Sequence, residues 1–255
     1  MSDDLQAFYG RWAGLYDRIA RFPGVGAWRV AAADALALDA GDTVVEMGCG
    51  TGANFPHVRE RIGPEGTLVG VDLTAGMLAV AATRIERRGW ENVSLMRADA
   101  ARPPIGAPFR TPAGGEATDG GTDDRDPSSV DPANTEAVGS AGVDAVLASF
   151  VVGMFAEPEP VVERWASLVR PGGRLCLLDA ARSSHPVARP FDLAFRGFVV
   201  ASTPPTLKVR YDDPPWAELD RRVDAARGTL AARCPDVERT THGLGFVHLA
   251  AGTVR

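Results

Sequence analysis

Five short, nearly uninterrupted apolar runs punctuate the chain: Thr43–Met47, Thr67–Val71, Val93–Met96, Val143–Phe150 and Arg174–Asp179. Runs of this length that do not alternate with polar residues are expected of strands buried on both faces. Helical candidates fill the intervals, at Trp28–Leu38, Asn54–Ile62, Ala75–Arg88 and Glu159–Val169. Strand, helix, strand at this spacing predicts βαβ units, and so an α/β fold with a doubly wound, mostly parallel sheet and helices on both faces. The last two runs differ. Val237–Thr241 and Phe246–Ala251 are joined by His242–Gly245, with no room for a helix, and predict a C-terminal antiparallel hairpin. Phe191, Phe195 and Phe198 recur at i, i+4 and i+7 and mark one more helix with an aromatic stripe.

Residues 106–142 break the pattern, being rich in Gly, Pro, Ser, Thr and Asp without helical or strand period, and read as an acidic flexible insertion. That segment holds seven acids against Arg110 and Arg125, so almost all of the chain's net charge of −6 lies within it. The near-neutral remainder is a poor partner for a nucleic-acid backbone, and none is expected. Lys208 is the only lysine among 27 basic residues, a usage that fits a GC-rich genome and also a salt-adapted host.

Length and composition fit one domain over residues 1–255, with a helical cap at 1–40 and a lid-like segment at 185–235. The longest apolar run, Val143–Ala156, contains Asp144 and is too short to span a bilayer. The N-terminus opens on acids where a signal peptide would be basic, so a cytoplasmic location is expected. Cys49, Cys176 and Cys234 form no CxxC pair and support neither a disulfide framework nor a zinc site.

The chemistry is concentrated at three successive strand ends. The first strand runs into Glu46-Met47-Gly48-Cys49-Gly50-Thr51-Gly52, glycines that let the backbone turn tightly and approach a ligand at a helix N-terminus. Gly48-x-Gly50-x-x-Ala53 also satisfies the dinucleotide fingerprint, and a glycine turn can be purely structural. Asp72 closes the second strand, where a carboxylate can accept hydrogen bonds from both ribose hydroxyls. Asp99 follows the third strand, placed to receive an exocyclic amine; each acid alone also reads as a turn residue.

Together these residues resemble the class I S-adenosylmethionine-dependent methyltransferases. Glu46–Gly52 is similar to the family's E/DxGxGxG motif, Gly70–Leu78 to its ribose-binding strand end, Ala98-Asp99-Ala100 to its adenine-contacting turn and Arg170–Arg174 to its LRPGG turn. The opening Phe8-Tyr9-x-x-Trp12-Ala13-x-x-Tyr16-Asp17 is similar to the start of the quinone- and phospholipid-type subgroup. The resemblance implies strand order 3-2-1-4-5-7-6 and S-adenosylmethionine bound by Glu46, Gly48, Cys49, Gly50, Thr51, Gly52, Asp72, Leu73, Met77, Asp99, Ala100, Ser149 and Tyr16. It further implies methyl transfer to a small-molecule, lipid-like or quinone-like acceptor, with peripheral membrane contact compatible with the aromatic stripe. The other readings are a nicotinamide-dependent oxidoreductase and a binding protein that keeps the cofactor without turnover.

The acceptor side is expected beyond strands four and five, at Ser149, Phe150, Met154 and Phe155 and at Asp179, Arg182 and His185. Val152-Gly153-Met154 stands where many relatives carry a polar group, which leaves His185 as the base candidate, while His57 reads as a solvated helix residue. Asp213-Pro214-Pro215-Trp216 matches a motif of enzymes that methylate nucleic-acid bases, but lies far from the end of the fourth strand where that motif works. No acid cluster suited to magnesium follows strands four and five, and no metal is expected.

Overall fold

The computed structural model describes residues 23–105, 142–202 and 214–255. Seven strands form one sheet: β1 (Thr43–Met47), β2 (Thr67–Asp72), β3 (Val93–Arg97), β4 (Val143–Ser149), β5 (Val169–Ala180), β6 (Glu238–His242) and β7 (Val247–Thr253). Their order is β3-β2-β1-β4-β5-β7-β6, as the resemblance implied. All neighbours pair parallel except β7, which runs antiparallel to both β5 and β6 and closes the expected hairpin.

Among the described residues six helices accompany the sheet: α1 (Pro23–Ala35), α2 (Phe55–Ile62), α3 (Ala75–Arg88), α4 (Pro158–Leu168), α5 (Arg189–Ser202) and α6 (Pro215–Arg233). Alternate residues of each central strand enter opposite cores, which is why those strands are apolar throughout. Val44, Leu68 and Leu147 meet Ala32, Leu36, Phe55, Val58 and Leu78 of α1–α3 on one face. Val45, Met47 and Val146 meet Val162, Trp165, Val223 and Leu230 of α4 and α6 on the other. Trp165 is fully buried, and its indole N–H donates to the Ala100 carbonyl at 2.8 Å, fixing the turn after β3 against α4.

Several boundaries differ from the sequence expectation for identifiable reasons. β4 stops at Ser149 because Phe150 adopts φ +57, outside strand geometry, while its amide donates to Leu178. β5 begins at Val169 rather than Arg174, since Pro171-Gly172-Gly173 is absorbed as a bulge between the pairs Val143–Val169 and Ala145–Arg174. The C-terminal half of the 185–235 segment is α6, a 19-residue helix with Val223, Ala226 and Leu230 in the core. Residues 1–22 and 106–141, which include Tyr16 and nearly all of the acidic insertion, lie outside the described residues, as does Asp213. Among the described residues no helix is long and apolar enough to cross a membrane.

Candidate functional site

A cleft of about 450 Å³ opens at the C-terminal ends of β1–β4. It is lined by Glu46, Gly48, Cys49, Gly50, Thr51, Asp72, Leu73, Met77, Asp99, Ala100 and Ser149, all of them expected from the sequence. The turn after β1 is tied to its neighbour, since the Cys49 amide donates to Val71 at 2.9 Å and the Gly50 amide to Asp72 Oδ2 at 2.9 Å. Asp72 Oδ1 accepts the Thr74 amide at 2.8 Å, so each oxygen is oriented by a backbone donor and keeps acceptor capacity. Burial raises the Asp72 pKa, opposed by those amides.

Gly50 has φ +55, a conformation that costs any other L-residue strain, and a Cβ built on it meets no atom within 4 Å. The turn therefore presents bare backbone to open space. Gly52 serves a different end. It is absent from the cleft lining, and a Cβ there would stand 2.4 Å from the Phe55 ring. The third glycine of the motif thus lets β1 and α2 pack.

Below the turn lies a buried polar network. Asn54, fully buried, donates from Nδ2 to Glu46 Oε1 at 2.7 Å and to Ser149 Oγ at 2.9 Å, while its Oδ1 accepts from Arg29 Nη1 at 2.9 Å. Glu46 is 1% exposed and its Oε2 has no hydrogen-bond partner. Burial pushes the Glu46 carboxyl up to about 7, against the Asn54 hydrogen bond and the nearby Arg29 charge. A buried carboxylate oxygen left open in a cleft wall invites a donor from a ligand. Arg29 belongs to no motif in the sequence, although its spacing with Ala32, Ala33 and Leu36 places a cation on the apolar face of α1. In the sequence Asn54 reads only as the start of a helix.

The opposite wall comes from the β4–α4 connection. Phe150, Val151, Met154, Phe155, Ala156 and Glu157 line it, with Val161 behind. Phe150 lies beneath the Arg29 guanidinium, 5.6 Å from the ring centre. The residues expected after β5 are elsewhere. Asp179 is buried; desolvation pushes its carboxyl up to about 7 while the amides of Val152 and Val151 pull it down, so it anchors the turn after β4 from behind. Arg182 grips Asp220 of α6, Nε to Oδ2 at 2.6 Å. His185 is exposed, outside the cleft lining, and its Nδ1 accepts the Val187 amide at 3.3 Å. Pro214-Pro215-Trp216 starts α6, also outside the lining. Asp99 Oδ1 caps its own turn through the Ala101 amide at 2.9 Å. Among the described residues no group of His, Cys, Asp or Glu could hold a metal ion.

The family model described as "Methyltransferase domain" matches residues 45–175, just over half of the chain and all of the cleft described above except Arg29. The chain belongs to the class I S-adenosylmethionine-dependent methyltransferases. S-adenosylmethionine is accordingly its cofactor. The chain is 30% identical over 172 residues to nocamycin O-methyltransferase of Saccharothrix syringae, spanning 66% of this chain and 48% of that protein. It thus spans about half the length of that relative. It is 25% identical over 217 residues to aklanonic acid methyltransferase of Streptomyces sp. strain C5, spanning 84% of this chain and 79% of that one. An O-methyltransferase family protein from Burkholderia thailandensis shares the fold, with a TM-score of 0.54 at 16% identity over 97% of this chain and 58% of its own.

Proposed function

We propose that this methyltransferase acts on a small apolar acceptor held against Phe150, Val151 and Met154. The observation carrying the proposal is the contrast between the cleft's two walls, one bearing Glu46, Asp72, Asp99 and bare backbone, the other mostly apolar with Phe150, Val151, Met154 and Phe155 and the single carboxylate Glu157. The open Glu46 Oε2 and the unfilled space over Gly50 fit a ligand with a cationic amine and a close backbone contact, as S-adenosylmethionine has. In this reading Glu46 receives the amine, Asp72 holds the ribose and Asp99 meets the adenine edge, with Leu73, Met77 and Ala100 flanking it.

When bound, the cofactor supplies an electrophilic methyl group on a sulfonium centre. The chain's own part is positional: fix the donor with carboxylates and the glycine turn, hold the acceptor in line, and keep water out. His185, exposed and spent on its own turn, is not proposed as a base. Acceptors that are already nucleophilic, or that ionise near neutral pH, suit such a site best. The two enzymes named for nocamycin and aklanonic acid support the small-molecule reading.

Calorimetric titration with S-adenosylmethionine, S-adenosylhomocysteine and NADH, followed by an acceptor screen that reads S-adenosylhomocysteine release, tests this directly. Adenosyl-ligand binding with turnover on phenols, quinols or other apolar acceptors is expected. Binding without turnover on any of them, or turnover confined to charged polar acceptors, would overturn the proposed acceptor class.

A further inference from the structure

We infer that α1, α2 and α3 together form a second ligand site, outside the cofactor cleft, for a small oxyanion of the phosphate class. A separate cavity of about 340 Å³ lies behind the glycine turn. Four basic side chains from three helices line it: Arg29 of α1, His57 of α2, and Arg84 and Arg88 of α3. No carboxylate lines it among the described residues. Outside the acidic 106–142 segment the chain is near neutral, and the described lining of this cavity gathers basic side chains alone among ionisable groups.

The guanidiniums are held in place. Arg29 donates to Asn54, Arg84 to the Gly52 carbonyl, and Arg88 lies 5.9 Å from the Trp90 ring centre. Burial and the charges of Arg61 and Arg29 lower the His57 pKa, while the charges of Glu60 and Asp34 raise it. Planar forks of N–H donors match the oxygens of phosphate, which a single-charge halide cannot reproduce. The first amides of α2 add little, because those of His57 and Val58 already donate to the Asn54 carbonyl. Recognition is therefore by side chains.

The cavity shares only Arg29 and Ala53 with the cofactor cleft. Arg29 stands as the partition, bonded to Asn54 and through it to Glu46. An oxyanion on the far side of Arg29 can occupy its site while the cofactor occupies the cleft, and offsets positive charge close to a sulfonium. This second statement rests on the cofactor reading; the site itself does not.

The test is titration with inorganic phosphate at constant ionic strength set by potassium chloride, with and without saturating S-adenosylhomocysteine. Saturable binding in both conditions is expected. Arg88→Glu, an exposed side chain outside the cleft, should weaken phosphate about tenfold or more while S-adenosylhomocysteine affinity stays within about twofold. Arg88→Ala gives the same readout should the charge reversal disturb α3. Competition between phosphate and S-adenosylhomocysteine would overturn the proposal, since the cavity would then be the end of the cofactor cleft. Wild-type affinity in both variants would also overturn it. Saturable phosphate binding by a protein that ignores S-adenosylhomocysteine would support the site and remove the cofactor reading.

Discussion

The two walls of the cleft obey different rules. The wall built from the ends of β1, β2 and β3 is fixed by backbone: Gly50 and Thr74 amides on Asp72, the Cys49 amide on Val71, the Ala101 amide on Asp99. The wall after β4 is fixed by packing, with Phe155 edge-on to Trp165 at 5.7 Å and Leu219 of α6 beneath Gly153. A backbone-fixed wall demands particular residue types at particular spacings. A packed wall accepts many apolar residues, provided that their neighbours change too. The first kind recognises a ligand that does not vary, and the second suits one that does.

Breaking the backbone-fixed wall should have the largest effect. Asp72→Ala removes the proposed ribose contacts and frees the Gly50 amide, and is expected to cost about 2–4 kcal/mol of cofactor affinity, from roughly thirtyfold to several hundredfold by calorimetry. A loss under about threefold would mean that Asp72 does not hold the ribose.

Next is a pH effect on the same wall. Glu46 has a folded pKa of about 7 against an ordinary 4.5, so the fold binds a proton that the unfolded chain has already released. Its contribution to stability is present below pH 4.5 and is lost as pH rises to about 7, at a rate of up to about 1.4 kcal/mol per pH unit. Asp179, raised from 3.8 to about 7, acts with the same sign. Glu46→Gln should remove one of these two shares, visible as a shallower fall in urea-unfolding free energy from pH 5 to pH 7.5. An unchanged slope would show that Glu46 is not protonated in the fold.

The two glycines sharpen the comparison within a single turn. Gly50→Ala should cost about 1–2 kcal/mol of stability through strain alone, but weaken S-adenosylhomocysteine, because the methyl enters open cleft space. Gly52→Ala should lower Tm further, since its methyl overlaps the Phe55 ring. The reverse ranking in Tm would assign the two glycines wrongly.

The smallest effect is expected on the far side. Phe195 stacks on Phe246 with ring centres 4.9 Å apart, so that part of the aromatic stripe is packing, while Phe191 is 51% exposed and the Phe198 side chain is outside the described residues. Phe191→Ala should leave both cofactor affinity and Tm nearly unchanged and alter only the KM of an acceptor that reaches α5. Equal KM values across acceptors of different apolar length would show that α5 does not touch them.

The same division explains what could be read in the sequence. Strands buried on both faces are written as continuous apolar runs, and the glycines and acids at three strand ends mark the backbone-fixed wall. Of the motif's three glycines, Gly48 and Gly50 line the cleft and Gly52 stands outside its lining, against Phe55. α6 carries a weak helical signal because its buried apolar positions are only Val223, Ala226 and Leu230 among charged residues, and Arg222 is buried by pairing with Glu218. Arg182 and His185 follow β5 as expected, yet the chain there turns toward α6 and its own short helical turn. No local signal in Arg182–His185 records that direction, because it is set by Asp220, 38 residues away.

Asn54 has a consequence for how the protein comes together. Its one side chain joins residues 8, 25 and 95 positions away in sequence, so its hydrogen bonds can close only after α1, β1 and β4 have all arrived. The sheet can pair before that moment; the floor of the cleft cannot. A refolding chain should regain its strand signal before it regains ligand affinity, with binding competence the last property to return.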